Sequence, residues 1–516
     1  MMAIPSSRHT AKRRILRNTT ANAVAQAATM LSTLVFLPLL VGSFGLSVYG
    51  VMVLAASVSS YAVLLDLGVG ATLTRMVAER TARAEHDGVA RAVFSAAAIY
   101  GALGAAVAIV MFALGLFAGT VFKVTGVEAD LLRVLLWIGA ATQLWYWPTR
   151  AARDALSGLQ RYDIVSAVTL GIVLADIAGT VFVLATHRGP VVLLAIKAAE
   201  TVVASLVNMW MLGRLMPSLS RRVSASIADV RAILRSGSSV FVLQIAQVMS
   251  RQQTDKIVLA VFLGPAYIAI YDIAAKLNSL IATFIGLTTS AVLPVVAELN
   301  AREEHDALRS LFLRGTKLSA TVVAPLVTIL IVVAGPFIGA WCRAVPGHDL
   351  AIPVAQVLLV SQILLPLYQL GDQVLIGKDR FHLWVRGGLT MAFVNVIVSV
   401  GLTKYFGLIG VAVGTLSAVV LEFPWYAAVF SKEMELPIPL WLRATAWPIY
   451  PLLAVPALLA WLGARTALGG SLPGIMLVAG VAAGVYWVIA FFAAYSPVER
   501  ADLMSILRRA PRAEAA

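Results

Sequence analysis

Apolar runs of close to twenty residues recur along almost the whole chain, separated by short polar segments. A run of that length spans the roughly 30 Å hydrocarbon core of a bilayer as a helix. The runs fall at about 19–41, 47–70, 92–117, 129–149, 164–186, 191–213, 237–263, 268–293, 318–341, 351–371, 384–404, 409–430, 443–463 and 473–495. This pattern predicts an all-α polytopic membrane protein of about fourteen transmembrane helices. The second run and the polar-rich seventh are the least like single elements.

The polar segments set the orientation. With the N-terminus placed in the cytoplasm and the sides alternating, cytoplasmic segments hold about 30 Lys and Arg and external ones about six. Both termini are therefore expected in the cytoplasm. Four basic residues, Lys197, Arg251, Lys256 and Lys276, fall inside spans. The apolar stretch after the basic segment Arg8–Arg17 is too long for a signal h-region, so no cleaved leader is expected. The segments between spans are too short to fold as a catalytic domain.

Composition agrees with this. Only 13% of residues are charged and 60% are hydrophobic, against about 25% charged in soluble domains. The net charge of +14 is explained by topology and anionic-lipid contact, not by nucleic acid. The single cysteine, Cys342, excludes an intramolecular disulfide.

An internal repeat runs through the chain. Phe44-Gly45 matches Leu263-Gly264, Ala78-Glu79 matches Ala297-Glu298, and Gly158–Ile164 matches Gly377–Leu383. Gln143 matches Gln362, and Asp176 falls on Asn395. All share one shift, 264 minus 45, or 219 residues. The shift covers six spans, an even number, so two six-helix halves of equal orientation are predicted, related by a pseudo-two-fold along the membrane normal. The expected organisation is a basic N-terminus (1–18), an N-lobe (19–213), a linker (214–236), a C-lobe (237–430), an appended helix pair (443–495) and a cytoplasmic tail (496–516).

The pieces Gly45-x3-Tyr49-Gly50, Leu65-Asp66-Leu67-Gly68 with Arg75 and Ala78-Glu79, Ser157–Arg161, and Asp255–Gly264 with Tyr271 resemble the polysaccharide-transport branch of the MOP exporter superfamily, which includes Wzx-type flippases. The resemblance covers about the first twelve helices. It implies two lobes around a V-shaped cavity, alternating access and no cofactor. It also implies an undecaprenyl-pyrophosphate-linked oligosaccharide as cargo, crossing the inner membrane for O-antigen, exopolysaccharide or capsule synthesis. Membrane lipids and a polymerase or chain-length machinery are the implied partners. MurJ-like lipid II flippases and MATE multidrug exporters are the related alternatives. MATE proteins commonly carry an ion-coupling acid in the first helix, and no Asp or Glu lies between Asn18 and Val41.

Charges inside a membrane are costly and mark candidate sites. Gln244, Gln247, Arg251 and Asp255 are spaced to share one face of helix seven. Arg251 lies about 16 Å along it, near the midplane. Helix one repeats the spacing with Asn22 and Gln26. Lys256, Tyr271, Lys276 and Lys197 complete the candidate cavity lining. Arginine and lysine suit a pyrophosphate, and amides and tyrosine suit a glycan. Asp176, Asp272 and Glu422 are candidates for ion coupling. Arg75, Arg150, Arg153 and Arg161 are candidates for cytoplasmic entry, or simply for positive-inside topology. Arg251/Asp255, Asp272/Lys276 and Lys197/Glu200 are also spaced to neutralise one another. Lys256 has no acid four residues away. Gly158-x2-Arg161 and Gly377-x2-Arg380 are expected to form tight turns. An enzyme is disfavoured, because the external loops are short and no D-x-D, H-x-E or metal-ligand cluster occurs. The histidines all fall in loops.

Overall fold

A computed structural model describes residues 28–220, 224–237, 253–290 and 292–509. Among these residues every regular element is a helix. The chain divides into two compact units, Met1–Ala269 and Ile270–Ala516.

In the first unit, α1 (Ala28–Phe44) and α2 (Leu46–Ser60) lead through a tight turn, Tyr61–Asp66, into α3 (Val69–Ala82). The expected single span at 47–70 is thus a bent element. Leu67 and Gly68 both adopt left-handed backbone at the bend. Then come α4 (His86–Leu116), α5 (Val127–Gly158), α6 (Tyr162–Ala185) and α7 (Pro190–Leu215). A helix at 227–237, α8, is tied to α3 through Arg80, whose guanidinium donates to both carboxylate oxygens of Asp229 at 2.9 and 2.5 Å. Last is α9 (Gln253–Phe262), held by the Lys123 N–H donating to the Ala260 carbonyl at 2.8 Å. α9 therefore packs with the N-terminal unit, although the expected C-lobe began at 237.

α4 and α5 pack closely because small residues face aromatics. A Cβ on Gly104 would meet the Trp147 side chain at 2.8 Å. α6 and α7 differ, because their apolar side chains are largely exposed, including Leu174, Phe182 and Val203. Apolar surface of that extent is stable against lipid, not water.

The second unit begins within α10 (Pro265–Ser290) and continues with α11 (Val292–Ala301) and the 37-residue α12 (His305–Trp341). The tenth span is two pieces, α13 (Ala351–Gln362) and α14 (Leu365–Gly377), bent by 50°. α15 runs from Phe381 to Glu433. It is broken at Gly407, where φ is 57° and ψ is −132°, so it covers the expected eleventh and twelfth spans. Its core is aromatic: Phe312, Tyr368, Tyr426, Phe430 and Trp441 are buried together. The appended helices α16 (Ile438–Thr445), α17 (Ala454–Ala464) and α18 (Leu472–Ala493) follow. Ala460, Ile475 and Ala482 pack on Ile329 and Val333 of α12. A terminal helix, α19 (Pro497–Arg509), ends the described chain. By length and composition, eight of the described helices can cross a membrane, or nine with the bent pair as one.

The 219-residue register recurs in backbone conformation. Gly45, Ala84 and Gln160 have positive φ, and so do Gly264, Glu303 and Asp379, each 219 residues on. The turn after α3 is closed by Glu85 N–H to Arg80 O and Ala84 N–H to Thr81 O. That after α11 is closed by Glu304 N–H to Leu299 O and Glu303 N–H to Asn300 O. The sequence of this turn is itself repeated, since Ala82-Arg83-x-Glu85-His86-Asp87 reappears as Ala301-Arg302-x-Glu304-His305-Asp306. The expected tight turns at Arg161 and Arg380 are present, with matching bonds from the Arg161 N–H to Leu156 O and the Arg380 N–H to Leu375 O.

Candidate functional site

In the first unit, α6 and α7 carry three charges away from their ends, Asp176, Lys197 and Glu200, within otherwise apolar surfaces. Lys197 on α7 contacts Asp176 on α6 directly. The expected alternative, pairing along the helix with Glu200, gives way to this pair between helices, and one Glu200 carboxylate oxygen is buried with no hydrogen bond among the described residues. The Lys197 and Asp176 side chains keep 41% and 36% of their surface, so the pair is only partly enclosed.

On α9, Asp255 is wholly buried and Lys256 is half-buried. Both interact with other groups. Beside them, the Tyr61 hydroxyl donates to Thr254 at 3.1 Å. Arg251, Gln244, Gln247, Asn22 and Gln26 lie outside the described residues.

At the start of the second unit Tyr271 and Asp272 are buried. Asp272 forms the expected pair with Lys276, at 3.7 Å. Deeper in this unit Glu422 is 6% exposed, and neither of its carboxylate oxygens has a hydrogen-bond partner among the described residues. Near it Asp372 accepts from the Trp384 indole and the Tyr426 hydroxyl. The Asp372 neighbour was not singled out from sequence; its position four residues after Tyr368 on an apolar helix was the available signal. Such acids are tolerated in a membrane when they carry a proton or a cation. Among the described residues no three His, Cys, Asp or Glu side chains converge as a metal site would require.

The four entry arginines separate. Arg75 is exposed, 3.7 Å from Glu79, and Arg153 is exposed. Arg161 is taken up by Asp163, with two hydrogen bonds of 3.0 Å. Arg150 is enclosed. Its guanidinium donates to Asp66 Oδ2 at 2.7 Å, lies 3.7 Å from Asp154 Oδ2, and rests over the rings of Tyr100 and Trp147. The Tyr100 hydroxyl is 2.7 Å from Asp154 Oδ2 and 3.1 Å from Asp66 Oδ1. The Gly70 N–H donates to Asp66 Oδ1 at 3.3 Å. Four elements thus meet in one buried ionic cluster: the turn before α3, α3, α4 and α5. Asp66 lay in a quoted motif and Asp154 lies four residues after Arg150, so that spacing could have announced the cluster. Tyr100 gave no signal.

Comparison with known proteins places this architecture. A stretch of 173 residues is 24% identical to the probable flippase AglR of Haloferax volcanii, covering 34% of this chain and 36% of that protein. The aligned stretch is thus about a third of the relative's length. The lipid II flippase MurJ, in an inward closed conformation, is similar in fold with a TM-score of 0.66 at 12% identity, over 92% of this chain and 99% of that one. An inward-facing MATE-family multidrug resistance transporter of the MOP superfamily also scores 0.66, at 17% identity, over 80% and 98%. The fold is therefore that of the MATE and MurJ transporters. The polysaccharide biosynthesis protein family matches residues 15–300, more than half of the chain, and the chain belongs to that family.

Proposed function

We propose that this protein is a flippase that moves a lipid-linked oligosaccharide, of the undecaprenyl-pyrophosphate class, from the cytoplasmic to the outer leaflet of the inner membrane by alternating access. The observation that carries this reading is a membrane transporter fold in a polysaccharide biosynthesis family with lysines set among its apolar helices. Lys197, Lys256 and Lys276 are all at least partly accessible. A pyrophosphate supplies the negative charge such groups need. The lipid tail can stay in the bilayer while the head group crosses. Export of an anion from a negative interior is favoured by about 2.3 kcal/mol per charge per 100 mV, so the membrane potential contributes to driving it. Glu422, with Asp372 beside it, is the foremost candidate for a coupling cation, ahead of Asp176 and Asp272, which have lysine partners. In this reading the protein is not an enzyme, both termini are cytoplasmic, and it hands its cargo to a polymerase or chain-length machinery.

Deleting the gene tests the reading. The expected result is lipid-linked glycan accumulating on the cytoplasmic face, restored by the wild-type gene, with susceptibility to cationic drugs unchanged. Arg251→Ala and Lys256→Ala should complement poorly. Full complementation by both would remove the cation-lined site, and a drug phenotype without glycan accumulation would favour a MATE-type exporter.

A further inference from the structure

The cluster around Arg150 has an unusual proton count. Asp66 is served as a carboxylate should be, by the Arg150 guanidinium at 2.7 Å and the Gly70 N–H at 3.3 Å. Asp154 is not. Its Oδ2 lies 3.7 Å from Arg150 Nε, beyond hydrogen-bond reach, and that Nε is buried with no hydrogen-bond partner among the described residues. The close contact of Asp154 is with the Tyr100 hydroxyl, at 2.7 Å, and the same hydroxyl lies 3.1 Å from Asp66 Oδ1. A phenol has one hydrogen to give. With both acids ionised, one of these two contacts sets lone pair against lone pair. With a proton on Asp154, every contact is satisfied in one direction: Asp154 donates to Tyr100, and Tyr100 donates to Asp66.

The fold does not require these charges. At the 219-residue shift, Asp66, Tyr100, Arg150 and Asp154 fall on Ile285, Ser319, Gln369 and Gln373. The second unit repeats the positive-φ turns at Gly264, Glu303 and Asp379 without ionisable groups at those four places, and Ile285 lies within α10 and not at a bend.

We propose that Asp154, Tyr100 and Asp66 form a proton-binding site that holds one proton on Asp154. Arg150 is a positioning residue that fixes Asp66 as the acceptor end of the relay. The ionisable groups facing the site are Tyr146, Arg150 and Arg153 from α5, Tyr100 from α4 and Asp66 from the preceding turn. α3 contributes Gly70 and Thr74, which do not titrate, and a Cβ on Gly70 would stand 2.8 Å from Asp154 Oδ2. Loss of the proton sets two carboxylates against the single enclosed guanidinium of Arg150, Arg153 being exposed, and pushes α3, α4 and α5 apart. The site therefore makes the packing of the first unit dependent on protonation. The proposal does not depend on the cargo being a lipid-linked sugar.

The test uses the full-length protein in lipid nanodiscs at neutral pH. Infrared spectra of wild type and Asp154→Asn are compared in the carboxylic-acid and carboxylate regions. The expected result is loss of a protonated-carboxyl band in Asp154→Asn, with the carboxylate band unchanged. Loss of carboxylate intensity instead would overturn the proposal. Melting temperatures give a second reading. Asn mimics a neutral acid, so Asp154→Asn should melt like wild type, whereas Asp66→Asn should melt much lower. Equal losses in the two variants would also overturn it. Raising the pH until the site empties should lower the wild-type melting temperature and leave that of Asp154→Asn unmoved.

Discussion

Replacing Arg150 by Met removes the enclosed cation from a nearly closed pocket. The side chain retains 17% of its surface and faces Asp66, which retains 3%. At an effective dielectric constant near 20, unit charges 2.7 Å apart attract by about 6 kcal/mol. Burying both charges offsets much of that. Stripping one partner away leaves the other desolvated and unpaired, at a net cost of about 3–5 kcal/mol. Lost stacking over Tyr100 and Trp147 adds about 0.5–2 kcal/mol. The assay is thermal and denaturant unfolding of the purified protein in detergent. Asp66→Asn in the Arg150→Met background should recover part of the loss, because it removes the stranded charge. A single variant within about 1 kcal/mol of wild type would show that the pair contributes no more than a surface salt bridge and refute the enclosed-cluster reasoning.

Other substitutions probe separate features. Gly158→Ala should destabilise by about 1–3 kcal/mol, because its Cβ would stand 2.7 Å from both the Thr74 carbonyl oxygen and Val77 Cβ; an unchanged unfolding midpoint would mean that α3 does not approach α5 this closely. Glu422→Gln should unfold no earlier than wild type, since it replaces a buried acid that has no hydrogen-bond partner among the described residues with a neutral side chain of the same shape; a large loss would expose a partner. Lys317→Ala should free α19, seen as faster tryptic cleavage at Arg500, because Lys317 holds Glu499 at 3.0 Å. Burial pushes the Glu499 carboxyl up, but Ser496 and Lys317 together bring it below its ordinary range. The docking contribution of Glu499 is therefore complete at pH values above the ordinary carboxylate range and lost as the pH falls through the lowered value. Acid should speed wild-type cleavage at Arg500 and leave Lys317→Ala unaffected.

Much of this protein was written in its one-dimensional pattern. Apolar runs near bilayer thickness dictate helices, because the backbone must satisfy itself inside lipid. The repeat was legible for a similar reason: a turn with positive φ favours glycine, so the chain returns to it at Gly45 and Gly264, and arginine recurs at Arg161 and Arg380, just after the positive-φ Gln160 and Asp379. Periodicity also placed Asp272 and Lys276 together. What it could not supply was contact between helices far apart in sequence. Nothing along the chain joins Asp66 to Tyr100 and Arg150, or chooses Asp176 over Glu200 as the partner of Lys197. Those choices are made by which helix faces pack, and in a membrane the hydrophobic effect does not select between apolar faces. Steric fit, through glycines such as Gly70, Gly104 and Gly158, and the cost of leaving a buried charge unpaired decide the packing instead, and both exist only once the helices are assembled.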